Sequence, residues 1–191
     1  MATTRLVTVE DLETMAPDGY EYELIRGVLQ RMAAAGGTHG EISYRFGLRL
    51  GIRVDERGLG LLYSSDTGFV VARDPDVVLM PDVAFIRADR VPAVEDSDGI
   101  LRLAPDLVFE TVSPTDRAAD VVDKVTLYLA GGVRVVLVAE PRRRVVTAHR
   151  PNRPPVELAE GDVIDLDDIV PGFRLPVADV FARPPLRGGT R

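Results

Sequence analysis

Pro105-Asp106-Leu107-Val108-Phe109-Glu110-Thr111-Val112-Ser113-Pro114-Thr115-Asp116 opens the stretch on which the fold turns. It starts with a strand, Asp106 to Val112, whose residues are apolar on both sides of Glu110. Apolar residues at successive positions of a short β-branched run mark an interior strand. Ser113 then offers a cap, Pro114 a first helical residue and Asp116 an acid for the first turn. This spacing predicts a helix to Ala130, ended by Gly131-Gly132. Ala118, Val121, Val122, Val125 and Leu129 are expected to form its core face. Val133 to Ala139 is a continuous apolar run, consistent with a fully buried strand. Arg144 to His149 is expected to pair with it after a turn near Pro141.

Working outward, strands are expected at Leu61 to Tyr63, Gly68 to Val71 and Asp82 to Ile86. His39 to Arg57 reads as a long helix, with Phe46, Leu50, Val54, Tyr44, Leu48 and Ile52 on one broad arc around Gly47 and Gly51. Arg45, Arg49, Arg53 and Arg57 follow at four-residue spacing, either as a solvated face or, for Arg45, Arg49 and Arg53, as contacts to phosphate. Upstream, Thr8-Val9-Glu10-Asp11 has the form of a capping box opening a helix that ends near Met15. Tyr22 to Ile25, Arg26-Gly27 and Val28 to Gln30 read as a hairpin, and Ala33 to Thr38 as a loop. The order gives an α/β (α+β) protein with a central mixed β-sheet flanked by helices. A single domain is expected over residues 1–182, with a disordered proline- and glycine-bearing tail at 183–191.

Composition limits what this domain does. The chain has 191 residues, 46% of them hydrophobic, which suffices for a substantial core. No apolar run approaches the ~20 residues of a membrane-spanning helix, and no signal-peptide pattern opens the chain, so a cytoplasmic protein is expected. The absence of cysteine excludes disulfides, thiolate metal sites and cysteine nucleophiles. A net charge of −7 argues against nucleic-acid binding through a global field and leaves only local patches for it. Of the 23 basic residues only Lys124 is a lysine; a GC-rich genome accounts for most of that bias, yet a retained lysine suits a place needing a compact ammonium.

Glu110 is the most informative residue. A carboxylate inside an interior strand is costly unless a cation or several donors meet it. An internal ion pair with an arginine is one solution, and a metal is the other. Asp82 follows Pro81 at the start of another expected strand, and two carboxylates on neighbouring strands suit Mg²⁺ or Mn²⁺. Lys124, on the second helix one turn before Tyr128, is either a surface lysine or, if that helix packs over Glu110, an ammonium at the metal site. His39 is a helix cap or a site-lining residue. Phosphate-loop and nucleophile-elbow patterns do not occur.

Tyr22-Glu23-Leu24-Ile25-Arg26-Gly27, His39, Ser65-Asp66-Thr67-Gly68-Phe69, Pro81-Asp82-Val83-Ala84-Phe85, Pro105 to Pro114, Lys124-x-x-x-Tyr128-x-x-x-Gly132-Val133 and Pro171-Gly172-Phe173-Arg174-Leu175-Pro176 occur in that order. The ordered set resembles the Uma2 family of restriction-endonuclease-like proteins, a branch of the PD-(D/E)XK phosphodiesterase superfamily, from about Thr8 to Phe181. The resemblance implies a restriction-endonuclease-like core and metal ligation by Asp82 and Glu110. The superfamily lysine expected two residues after the acid is Val112 here; the resemblance moves that role to Lys124, or makes Lys124 a substrate-binding residue of a Q-x-x-x-Y-like motif. Glu23, His39 and Tyr128 match recurrent positions that line the site, and Glu140 stands where an aspartate is more usual.

The implied function is a Mg²⁺- or Mn²⁺-dependent endonuclease acting on DNA, with Asp82, Glu110 and Lys124 as catalytic residues and a homodimer as the assembly to test. The alternative is a non-catalytic nucleic-acid- or protein-binding assembly protein that retains the fold. The strands carrying Asp82 and Glu110 are expected to be neighbours in one sheet, with the helix ending at Ala130 packed across it.

Overall fold

The computed structural model describes residues 5–93 and 98–183, so the tail beyond Arg183 lies outside the described residues. In chain order the elements are α1 (Val9–Glu13), β1 (Tyr22–Ile25), β2 (Val28–Arg31), α2 (Gly37–Arg57), β3 (Gly60–Ser64), β4 (Phe69–Ala72), β5 (Val77–Leu79) and β6 (Val83–Arg87). They continue with β7 (Leu107–Thr111), α3 (Ala118–Ala130), β8 (Val135–Glu140), β9 (Val145–His149), β10 (Val156–Leu158), β11 (Val163–Asp165), β12 (Arg174–Pro176) and α4 (Val177–Phe181).

The central sheet has the order β10-β9-β8-β7-β6-β3. β7 and β8 are parallel because α3 carries the chain back between them, whereas the other neighbours in this sheet are antiparallel. The sheet is therefore mixed, and Asp82 and Glu110 belong to neighbouring strands, as the sequence implies. A second sheet, β2-β1-β5-β4, was not foreseen as a separate layer. Its hairpin turns at Arg26 (φ 51°) and Gly27 (φ 76°), the pair of positive φ angles that a two-residue hairpin turn needs.

Alternation along the central strands builds two apolar clusters, and a third, of Val9, Leu24, Val70 and Val78, joins α1 to the second sheet. Val83, Phe85, Leu107, Phe109, Val135 and Leu137 meet Phe46, Leu50 and Val54 of α2, together with Phe173, Val177 and Phe181 of the C-terminal segment. Ala84, Ile86, Val108, Val136 and Val138 face the other way, onto Val125 and Tyr128 of α3 and onto Phe69, Val77 and Leu79 of the second sheet. Gly131, just past α3, is needed for close approach, since a Cβ there would stand 2.5 Å from the Val71 carbonyl oxygen. The capping box forms: Thr8 Oγ1 accepts from the Asp11 N–H and the Asp11 carboxylate accepts from the Thr8 N–H.

Three expectations are corrected. Ser113 does not cap a helix at Pro114; the Asp116 carboxylate accepts from the Ser113 N–H at 2.8 Å and closes a separate turn, so α3 starts only at Ala118. The core face of α3 is also rotated. Val122 is 63% exposed while Leu127 and Tyr128 are buried, because the Tyr128 hydroxyl has an acceptor inside. On α2 only Ile42, Ser43, Phe46, Leu50 and Val54 are buried, and Tyr44, Leu48 and Ile52 of the expected arc face outward. A single sheet covers one side of the helix, which is too narrow a contact for that whole arc.

Phe46 stacks on Phe109 with ring centroids 4.0 Å apart and meets Phe173 edge-on at 6.1 Å, joining α2, β7 and the C-terminal segment. Phe46→Ala is expected to lower stability by about 3–5 kcal/mol, read by urea denaturation. A loss below about 1 kcal/mol would mean that this contact does not anchor α2.

Candidate active site at the ends of β6 and β7

The register of β6 on β7 pairs Val83 with Phe109, Ala84 with Val108 and Phe85 with Leu107. Continued by one residue, it sets Asp82 opposite Glu110, where cross-strand side chains are nearest neighbours. Asp82 precedes β6 and bends towards α2. Its Oδ2 accepts from the Thr111 N–H at 2.7 Å and from Ser43 Oγ at 3.2 Å, and His39 Nε2 lies 3.2 Å away. Ser43 Oγ also stands 2.9 Å from Thr111 Oγ1, so Thr111 can donate to Ser43 while Ser43 donates to Asp82. His39 Nδ1 is buried without a hydrogen-bond partner among the described residues.

Glu110 is held from the opposite face. The Tyr128 hydroxyl donates to its Oε1 at 2.7 Å, and Lys124 Nζ is 3.5 Å from the same oxygen. The ammonium is closer still to Glu23 Oε1, at 2.9 Å, and that oxygen also accepts from the Met80 N–H at 3.0 Å. Glu23 itself is only 5% exposed. Lys124 is thus no surface lysine, and the internal ion pair left open for Glu110 is with lysine rather than arginine.

Burial and charge compete here. Burial raises the Glu110 carboxyl most, Lys124 lowers it, and Asp82 and Glu23 raise it again, leaving its pKa at about 7. Burial likewise raises Asp82, against the pull of His39, the Thr111 N–H, Ser43 and Lys124. Burial opposes the Lys124 charge, but Glu110 and Glu23 outweigh it and the pKa is raised. Tyr128 is pushed well above its ordinary value, first by burial and then by the nearby acids, so it serves as a hydrogen-bond donor.

The protein's own bonds to Asp82 converge on Oδ2 and those to Glu110 on Oε1, so the remaining oxygen of each can serve a cation. No group of three or more histidine or acidic side chains suited to a metal occurs among the described residues. Two carboxylates with water and substrate oxygens match the habit of Mg²⁺, which rarely takes an all-protein shell. The donor set fits a hard divalent cation.

Of the residues singled out in the sequence, Asp82, Glu110, Lys124, Glu23, His39 and Tyr128 converge. The arginine stripe does not join them. Arg45 pairs with Glu41 at 2.7 Å and Arg53 donates to the Pro171 carbonyl at 2.7 Å, on the flank of α2 facing the C-terminal segment; Arg49 is exposed on the same stripe. Arg45 and Arg53 thus have partners within the protein, which accords with the reading of the stripe as a solvated face. Ser43 and Thr111 were missed. Ser43 carried a faint signal as a polar residue one turn after His39 on an apolar face, whereas Thr111 looked like any strand threonine.

The architecture is a mixed sheet between helices, with two acids at the strand ends met by a lysine from α3. Residues 9–178 match the model of the Uma2 family, described as "Putative restriction endonuclease", and the chain belongs to that family. A crystal structure from Anabaena variabilis, described as "a putative nuclease belonging to DUF820", is similar with a TM-score of 0.82 and 17% identity, over 92% of this chain and 97% of that one. At that identity the likeness concerns the fold. No curated protein matches.

The raised Glu110 pKa has a consequence for stability. Folding favours its protonated form, so its contribution is full below the unfolded value of 4.5 and is lost as pH rises through about 7. Glu110→Gln keeps an acceptor for Tyr128 and is expected to raise the melting temperature at pH 8 by roughly 5 °C, with little change at pH 4.5. Equal melting temperatures at pH 8 would show that Lys124 fully offsets the buried charge.

Proposed function

We propose that this protein is a divalent-metal-dependent nuclease that hydrolyses DNA phosphodiester bonds. The carrying observation is the meeting of Asp82 and Glu110 across β6 and β7, with Lys124 Nζ 3.5 Å from Glu110 and 2.9 Å from Glu23. Asp82 and Glu110 would hold Mg²⁺ or Mn²⁺, and the ion would supply positive charge against the scissile phosphate. The chain's own side chains account for the rest. Lys124 presents N–H donors that orient an attacking water and meet charge developing on the phosphoryl oxygens. Glu23 fixes the ammonium, Tyr128 fixes Glu110, and the Thr111 N–H, Ser43 and His39 fix Asp82. Water forms one P–O bond, the ester P–O bond breaks, and the proton lost by the water is matched by one gained by the departing alcohol.

The nuclease family and the fold support this reading. Among the described residues no helix is long and apolar enough to cross a membrane. A cytoplasmic setting belongs to the same proposal. A second reading, a binding protein that kept the fold, draws on one observation: Lys124 already bridges two acids without any added cation.

Cleavage of labelled single- and double-stranded DNA with Mg²⁺ and with Mn²⁺ separates the two. Asp82→Asn, Glu110→Gln and Lys124→Ala are each expected to reduce cleavage by at least about a hundredfold. Lys124→Arg should recover little of it, because a guanidinium differs in reach and donor geometry. No cleavage by the wild type with either ion favours the binding protein, and full activity in Lys124→Ala removes the lysine from the mechanism. Binding has its own readout. Mn²⁺ should raise the wild-type melting temperature more at pH 8 than at pH 5 and leave Asp82→Asn unmoved, since proton and ion compete for the carboxylates.

A further inference from the structure

Beside the acids, a groove of about 470 Å³ runs between α2 and β3 and ends at Asp82 and His39. That volume lies within the ~300–1,000 Å³ of small-molecule sites. Gly40, Gly47, Tyr44 and Leu48 form its α2 wall, and Ser64 and Ser65 stand at the end of β3. Tyr44 is 68% exposed and Leu48 45%, so a tyrosine ring and an apolar surface stand free at the rim. No arginine or lysine lines the groove among the described residues.

This lining does not suit a phosphate track. Duplex DNA is held mainly through cations on its backbone, and this chain carries a net charge of −7. Many of its cations are already used. Arg26 pairs with Asp123, Arg45 with Glu41 and Arg102 with Glu13, each at 2.7 Å, and the single lysine is held by Glu23 and Glu110. Within the groove itself no cation is at hand, so affinity there comes from uncharged contact. A nucleobase provides it: a flat apolar face for Tyr44 and Leu48, and polar edges for the two serines. In a stacked duplex those faces are covered, and only an unpaired base can present one.

Resting on the nuclease reading, we propose that the α2–β3 groove is a nucleobase subsite, so that the substrate is single-stranded or locally unpaired nucleic acid. The base enters next to Asp82 and brings its own phosphate to the acid pair. Stacking on Tyr44 supplies the affinity, and salt weakens binding only slightly.

The test is fluorescence anisotropy on the full chain in EDTA, with a short fluorescein-labelled DNA strand, the same strand annealed to its complement, and an RNA strand of the same sequence. The DNA strand should bind at least about tenfold more tightly than the duplex, with a log–log salt slope shallower than about −1.5, that is, roughly two phosphate contacts or fewer. Tyr44→Ala should weaken strand binding roughly 5- to 150-fold, the range for one base–aromatic stack, and Tyr44→Phe should not. Gly40→Leu should weaken it similarly: a Cβ at Gly40 meets nothing within 4 Å, so the helix tolerates the change while the side chain obstructs the groove. Gly161→Leu, equally unobstructed but in the β10–β11 connection away from the groove, should bind like the wild type. The RNA arm reports which sugar the site prefers, and tight binding of either strand over the duplex supports an unpaired base.

Equal or tighter duplex binding overturns the proposal, as do wild-type affinities in both Tyr44→Ala and Gly40→Leu. Sedimentation that finds a wild-type dimer dissociated by Tyr44→Ala also overturns it, since a second copy then fills the groove. The nuclease reading fails separately. Strand binding through Tyr44 without cleavage under Mg²⁺ or Mn²⁺ leaves the subsite standing and removes the enzyme, whereas cleavage unaffected by the groove variants does the reverse.

Discussion

Two buried carboxylates at opposed positions of adjacent strands, one held from each face of the sheet, are the constraint around which this structure is arranged. The register that packs Phe109 and Val83 into one core leaves Asp82 opposite Glu110 at the strand ends. Neither acid is comfortable there, since burial raises the pKa of both. A third acid, Glu23, is buried beside them, and one lysine faces the three. A buried carboxylate without adequate compensation is strongly unfavourable, and Lys124 is the cation that meets Glu110 and Glu23. Burying three acids around one lysine works against stability, the kind of local departure from an optimal fold on which the proposed function draws.

Two layers share the work of holding it. From α2, His39 and Ser43 fix Asp82; from α3, Lys124 and Tyr128 fix Glu110; the second sheet contributes Glu23. The acids stand at the end of the strand pair, where side chains from both faces of the sheet can reach one point. The polar cluster therefore stands where the apolar clusters on the two faces of the central sheet meet their edge. Two of these contacts are themselves held, Glu23 by the Met80 N–H and Ser43 by Thr111. Preorganised groups of this kind favour electrostatic stabilisation, because little reorganisation remains when charge develops.

The surface has a different logic. Ion pairs tie down many arginines, so the basic residues act largely as local partners of acids rather than as a field reaching into solvent. Exposed pairs of this kind contribute little to stability, typically between zero and about 1 kcal/mol. Their effect here is on recognition, since a neutralised arginine is poorly placed to hold a phosphate. The apolar edge of α2 is free of such pairing and lies along the groove that leads to Asp82.

The sequence by itself determined the strand–helix–strand order around Glu110, the hairpin at Arg26-Gly27, the capping box at Thr8 and the mixed sheet, because local pattern and turn chemistry govern those features. It also marked Asp82, Glu110 and Lys124, since a carboxylate in an apolar strand and a single lysine among arginines are visible without coordinates. Start and orientation of the second helix were not legible: Asp116 found a competing bond to Ser113, and Tyr128 turned inward to an acceptor 18 residues away in the chain. The second sheet depended on pairing between β1 and β5, which no local pattern encodes. Only the tertiary structure decided that Glu23 shares Lys124 with Glu110, that Ser43 and Thr111 support Asp82, and that Arg45 and Arg53 of the stripe are taken by Glu41 and Pro171. Apart from the local Arg45–Glu41 pair, those relations depend on distance between residues far apart in sequence, and packing alone sets that distance.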